Sequence, residues 1–226
     1  MITPHVLRFL SSLSQNNDRE WFAENKANFL EADQITKDFF AGIQAKLQDI
    51  DKIESMQVFR IYRDIRFSKD KSPYKTYLSA WYSRKKPFLR GSYYIHIEPG
   101  QSFVEGGFWG PEPNDLKRIR KEFELDDSEI RKIIAAPDFQ RYFGTIEGEE
   151  LKTAPKDFDK SHKAIDLIRK KQFLVIRRFT DKEVLDKNFE TEVMATFAAM
   201  RPFLDYMSDV LTTNLNGESI IDNKQG

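Results

Sequence analysis

The chain has 226 residues, with 36 basic side chains balanced by 36 acidic ones, no cysteine and 40% hydrophobic content. That length suits one large domain, or two small ones with a shared core, and the lack of cysteine excludes disulfides, thiolate metal ligands and a cysteine nucleophile together. No apolar run approaches the roughly 20 residues of a membrane span, and Met1-Ile2-Thr3-Pro4 opens an amphipathic pattern without a basic leader, so a soluble, cytoplasmic protein with no membrane partner is expected.

The N-terminal third reads as helical. Thr3 and Pro4 suit an N-cap and first helical position, and Val6, Leu7, Leu10 and Leu13 recur at helical spacing until Asn16-Asn17. Asp18 is the next cap, opening a helix through Trp21, Phe22 and Phe29. The stripe of Phe39, Phe40, Ile43, Leu47 and Ile50 follows a break expected near Glu31 to Gln34. From Met56 to Phe67 the period changes to two, with Phe59, Ile61, Ile65 and Phe67 on one side and Arg60, Tyr62, Asp64 and Arg66 on the other. Thr76–Ser83 and Ser92–Glu98 read as further strands. Pro99-Gly100 turns into a fourth through Phe103 and Val104. Gly106, Gly107 and Gly110 around Trp109 suggest a bulge or a place where a ligand approaches the backbone.

Helices resume after Pro111, with stripes at Leu116, Ile119 and Phe123 and at Ile130, Ile133 and Ile134, then a short helix from Pro137. A helix is expected over Ser161–Lys171, a strand over Phe173–Phe179, and a long helical stretch from Val184 to Leu215. The fold class is therefore α+β: a central, mainly antiparallel sheet packed by N-terminal and C-terminal helices, in one domain over residues 1–216. Residues 217–226 read as a flexible tail.

The balanced charge conceals a segregation. Residues 60–90 carry ten bases against two acids, a net of +8, and residues 91–150 carry seven against thirteen, a net of −6. The positive charge peaks in Arg60 to Lys75, RIYRDIRFSKDKSPYK. Its self-repulsion calls for an anion, or for acids from elsewhere in the fold, to sit over it.

Four ordered motifs point the same way: NDREWFAENK (Asn17–Lys26), RIYRDIRFSKDKSPYKTYL (Arg60–Leu78), YYIHIEPG (Tyr93–Gly100) and LKTAPKDFDKSH (Leu151–His162). Together they resemble a widespread uncharacterised bacterial family, domain of unknown function 2461, over nearly the whole chain. The resemblance implies a single conserved domain and assigns no reaction. Where the family pattern usually reads Lys-Arg-Pro-Pro-Lys-Gly-Phe, this chain has Lys152-Thr153-Ala154-Pro155-Lys156-Asp157-Phe158.

The residues themselves suggest three chemistries. On a strand, Arg60, Tyr62, Asp64 and Arg66 project to one face roughly 7 Å apart, and the arginine forks suit either Asp64 or a phosphate or carboxylate ligand. Lys69, Lys71 and Lys75 on the following loop would close around that anion, although the glycines of a P-loop are absent. The expected pocket is thus lined by Arg60, Arg63, Arg66, Lys69, Lys71 and Lys75, with Tyr62, Tyr74 and Trp81 holding an apolar part. His96 and Glu98 share a strand face and suit an acid–base pair. With Glu105 they would make a set for Mn²⁺, Fe²⁺ or Zn²⁺, yet the chain has only three histidines and no His-x-His or His-Glu-x-x-His spacing. Asp159 or Ser161 would cap a helix and place His162 at its positive end, with Lys156 and Lys163 beside it.

The leading expectation is recognition of an anion, either a phosphorylated small molecule or a nucleic-acid backbone. One alternative is a hydrolase or phosphoryl-processing enzyme, with His96 or His162 as acid/base and Glu98 and Asp64 in support. Another is a scaffold that docks an acidic protein partner. No motif specifies a cofactor.

Overall fold

In the computed structural model, which describes residues 1–221, the alternation of helical and strand periods becomes an α+β fold. A five-stranded antiparallel sheet has its strands in chain order, β1-β2-β3-β4-β5, with nine helices among the described residues. The strands are β1 (Ile53–Val58), β2 (Leu78–Arg84), β3 (Ser92–Ile97), β4 (Ser102–Phe108) and β5 (Phe173–Phe179).

Helix α1 (Pro4–Gln15) starts with Pro4 at its first position, and the cap is extended backbone at Thr3 rather than its hydroxyl. Asp18 does cap α2 (Arg19–Glu24), its Oδ1 accepting from the Trp21 N–H at 2.9 Å. The break expected near Glu31 to Gln34 falls instead at Asn25, and α3 (Lys26–Ile50) runs uninterrupted. Nothing in that segment lacks an amide or forces a left-handed φ, and the buried Thr36 hydroxyl is satisfied inside the helix by Ala32 O at 2.7 Å.

Helices α4 (Pro113–Leu125), α5 (Ser128–Ala135) and α6 (Pro137–Tyr142) carry the expected stripes. The helix expected over Ser161–Lys171 contracts to α7 (Ile165–Ile168). Polar side chains compete with it: Asp159 Oδ1 accepts from the Ser161 N–H and hydroxyl at 2.8 and 2.7 Å, and His162 Nδ1 accepts from the Ala164 N–H at 3.2 Å. Asp157, in the preceding loop, holds φ at +69°. Short α8 (Asp181–Val184) opens with a capping box between Thr180 and Glu183, ahead of α9 (Phe189–Thr212). Part of the expected tail turns back on α9, with Ile220 N–H donating to Thr212 O at 2.9 Å; residues 222–226 lie outside the described residues.

The chain divides into two compact units, each assembled from separated stretches. The first comprises residues 1–82, 94–104 and 178–195. Its core packs Phe22 on Phe29 and Phe39 flat on Phe189, and the Tyr82 hydroxyl donates to Phe40 O at 3.0 Å. The second comprises residues 83–93, 105–177 and 196 onward. There Tyr93 packs on Phe197, Phe123 meets Phe173 edge-on, and fully buried Arg84 pairs with Asp205. Among the described residues no helix is long and apolar enough to cross a membrane.

Candidate functional site

The basic run does not continue β1 as a strand. The alternation from Met56 stops at Val58, and residues 59–77 form an excursion that returns to β2. Its base is paired like a ladder, Phe59 N–H donating to Ser79 O at 3.0 Å, Lys75 N–H to Ile61 O at 2.7 Å and Arg63 N–H to Pro73 O at 2.9 Å, while beyond it Ser68 N–H closes a turn on Ile65 O at 3.3 Å. The cause lies beyond the run. Asn17 makes a two-way amide bracket to the Tyr74 backbone, at 3.0 and 3.1 Å, and Phe22 stacks on the Tyr74 ring at 3.9 Å. Ile61 is buried under this clasp, while Phe67, which strand alternation puts on the same side, is 96% exposed.

The charges sort themselves locally. Arg66 and Asp64 form a bidentate pair, Nε to Oδ1 at 2.9 Å and Nη2 to Oδ2 at 2.6 Å. The Arg66 bonds hold the Asp64 carboxyl below its usual range. Arg63 pairs with Asp70 and also donates to Ser72 O at 3.2 Å. Asp70 accepts from the Ser72 N–H and hydroxyl, which with Arg63 bring its pKa down to about 2. Among the described residues, Asp64 and Asp70 are the only acids paired with the run. Acids of the following segment are taken up elsewhere, Asp115 by Arg90, Glu122 by Arg118 and Asp127 by Arg131. Among the described residues, four bases have no carboxylate ion-pair partner: Arg60, whose charge acts on Asp64 without bonding it, Lys69, Lys71 with Ile65 O at 3.0 Å, and Lys75. Half-buried Lys75 lies over the Phe59 and Tyr77 rings at 5.3 and 5.6 Å, and burial, aided by the Arg60 charge, lowers its pKa.

A cleft of about 510 Å³ opens at this excursion. Of the expected ligand-binding residues, Arg63, Tyr74 and Lys75 line it, together with Asp64. Arg60, Tyr62, Arg66, Lys69 and Lys71 do not line it, because the chain here is a folded loop rather than a strand with one face, and neither does Trp81 on β2. Ser14, Asn17, Asp70, Ser72, Thr76 and Tyr77 line the cleft and were not among the expected site residues, so two carboxylates, Asp64 and Asp70, face its two bases. Asn17, Asp70, Ser72, Thr76 and Tyr77 lie inside the motifs Asn17–Lys26 and Arg60–Leu78, but nothing in their local spacing says that they share a site.

The expected His96–Glu98 pair forms and reaches the cleft indirectly. The Pro99-Gly100 turn is closed by Ser102, whose hydroxyl donates to Glu98 O at 2.8 Å and accepts from the Glu98 N–H at 3.0 Å. Glu98 Oε2 lies 2.8 Å from His96 Nε2, and Oε1 accepts from the hydroxyl of cleft-lining Thr76 at 2.5 Å. Burial pushes the Glu98 carboxyl up, but the His96 and Thr76 bonds outweigh it and keep the pKa below the ordinary value. With the carboxylate ionised, His96 Nε2 carries the hydrogen between them. In the neutral ring Nδ1 then accepts from the Tyr94 hydroxyl at 3.1 Å. The imidazole is held between Phe103 and Tyr77, at 4.6 and 4.1 Å between ring centres.

No group of three or more His, Asp or Glu among the described residues is arranged to hold a metal ion, so the set of His96, Glu98 and Glu105 does not assemble. His96 has both ring nitrogens engaged, and Glu98 is divided between His96 and Thr76. Glu105 and His162 belong to the second unit. Asp159 closes a turn there, and Lys163 pairs with Asp127 at 2.9 Å.

Burial, reinforced by the Glu147 charge, pushes the Glu105 pKa up to about 7. A carboxyl raised in the folded state favours folding while protonated, and loses that advantage as pH rises from its ordinary value near 4.5 through about 7. Glu105→Gln is therefore expected to stabilise the protein by about 2 kcal/mol above pH 8 and to add little at pH 4. Urea melts of both proteins at the two pH values test this; equal gains at both would refute it.

No curated protein and no solved structure matches the chain. The Asn17–Tyr74 bracket, the basic excursion and the His96–Glu98 hairpin all fall within residues 5–206, the span matched by the family described as Conserved hypothetical protein (DUF2461), and this chain belongs to that family.

Proposed function

We propose that the protein recognises a phosphate-bearing ligand at the basic excursion, with Arg63 and Lys75 contacting it in the cleft and Arg60, Lys69 and Lys71 attracting it from the rim. The observation that carries this reading is the surplus of cations: among the described residues, two arginines of the run have carboxylate partners and four bases have none. An anion would relieve the repulsion between Lys75 and Arg60. Asn17 Nδ2, which gives one of its two hydrogens to Tyr74 O, has a second for a bound oxyanion at the same cleft. A cleft, rather than a smooth basic face, favours a phosphate ligand over an acidic protein surface.

The test is thermal stability with inorganic phosphate, pyrophosphate and nucleotides at low and moderate salt. A ligand at a hundred times its Kd adds about 2.7 kcal/mol, so a shift of about 5 to 10 °C is expected. Lys75→Ala should abolish it. Absence of a shift with every phosphate compound at low salt overturns the reading.

The Thr76–Glu98–His96 chain favours a second reading, a hydrolase or phosphoryl-processing enzyme. There the His96–Glu98 pair would exchange a proton with the ligand through the Thr76 hydroxyl. Phosphate release from pyrophosphate or a nucleotide, lost in Glu98→Gln while binding persists, would separate catalysis from recognition.

A further inference from the structure

We propose that the phosphate-bearing ligand is single-stranded nucleic acid, with its phosphates on Arg60, Lys69, Lys71 and Lys75 and an unpaired base stacked on Phe67. This deepens the anion-recognition reading above and rests on it. Phe67 is 96% exposed. Burying a phenylalanine side chain gains about 1.5 to 3 kcal/mol, and the excursion forgoes all of it at this position. A lone exposed hydrophobic is ordinary in itself. What singles out Phe67 is its place in the middle of a run in which, among the described residues, four of six bases have no carboxylate partner.

The ring is also positioned. Arg66 sits 5.9 Å from its centre, and Arg66 is in turn fixed by the bidentate Asp64 pair. A cation against one side of an aromatic ring leaves the rest for a flat partner, and a nucleobase is a flat partner that arrives with a phosphate. Tyr62, 46% exposed at the edge of Phe22, offers a second ring on the same run. Sequence-tolerant binders of single strands combine these two elements, a basic track for the backbone and aromatic rings for bases. Bases in a duplex are stacked on each other and present no free face, so a single strand fits and a double strand does not.

The complementarity is local. The protein as a whole is neutral, so binding must draw on this run rather than on a global field, and its salt dependence counts the contacts. Four phosphate contacts on a single strand predict a slope of log K against log salt of about −2.8.

Fluorescence anisotropy with labelled single strands of about 15 nucleotides, oligothymidine and oligouridine, tests this on the full chain. Binding by either is expected in 50 mM salt. Phe67→Ala should weaken it at least about fivefold with the slope unchanged, because a stacking contact carries no counterions. Phe67→Trp should restore affinity, and its fluorescence should change on binding. Arg60→Ala with Lys69→Ala should instead reduce the slope by about 1.4. These side chains are exposed, so unchanged melting temperatures confirm that folding is intact. The inference is overturned if no strand binds at about 100 µM protein, if Phe67→Ala binds as tightly as the parent, or if a duplex of the same length competes equally. A pyrophosphate thermal shift with no strand binding would reject this ligand and leave the anion reading standing; loss of both would reject the two together.

Discussion

Gly107→Ala is expected to cost about 4 kcal/mol or more, or to prevent folding altogether. Gly107 holds φ at +142°, and a Cβ there would sit 2.1 Å from Phe173 O and 3.0 Å from Leu174 Cα. Both obstacles are backbone of the neighbouring strand β5, which cannot swing aside as a side chain can. The close approach anticipated around these glycines is thus made by the sheet itself and needs no ligand. Gly106→Ala is the internal control. Its Cβ would lie 2.5 Å from Met200 Sδ, the flexible part of a residue that can change rotamer, so about 1 to 3 kcal/mol is expected. Thermal melts should show a fall of at least about 8 °C for Gly107→Ala, if it folds, and a clearly smaller one for Gly106→Ala. Equal losses would mean that strand spacing is not the limiting contact.

Asp205→Ala is expected to destabilise by about 3 kcal/mol. Its partner Arg84 has a fully buried side chain, held by Asp205, by Ser208 Oγ at 3.1 Å and by Arg90 O at 3.2 Å. Removing Asp205 takes a compensating carboxylate away from a guanidinium that stays in the core, with Asp209 still feeling its charge. The converse change is gentler: with Arg84→Met, Asp205 remains 40% exposed and keeps Arg201 at 3.1 Å, so about 1 to 2 kcal/mol is expected. Urea denaturation of the two variants checks the asymmetry. If Arg84→Met proves the more damaging, the arginine stem, rather than its charge, is what the core requires.

Much of the architecture was legible from local periodicity. Strand β5 has the bounds expected from its sequence, and the proline-led helices begin where proline places them. The basic excursion was not legible, for a physical reason. Its alternation is genuine, but what stops it is Asn17, which bonds the Tyr74 backbone across a separation of 57 residues. A long-range bracket leaves no trace in local spacing, so Phe67 reads as buried and emerges exposed. The His96–Glu98 pairing followed directly from residues two apart on a strand, whereas the Thr76 link needed the excursion to close first. At Asp157 the family pattern helps: the left-handed backbone explains a glycine there, and aspartate is among the few other residues that visit that region readily.

The interleaving of the two units bears on how the molecule is made. The chain passes from one to the other five times, at residues 82, 93, 104, 177 and 195. A nascent polypeptide that ends before residue 178 lacks part of both. Independent closure of an N-terminal half during translation, the usual order for domains strung end to end, is therefore unavailable to it. Folding must wait for residues 178 onward, so the basic excursion is synthesised, and available to bind, well before either unit is complete.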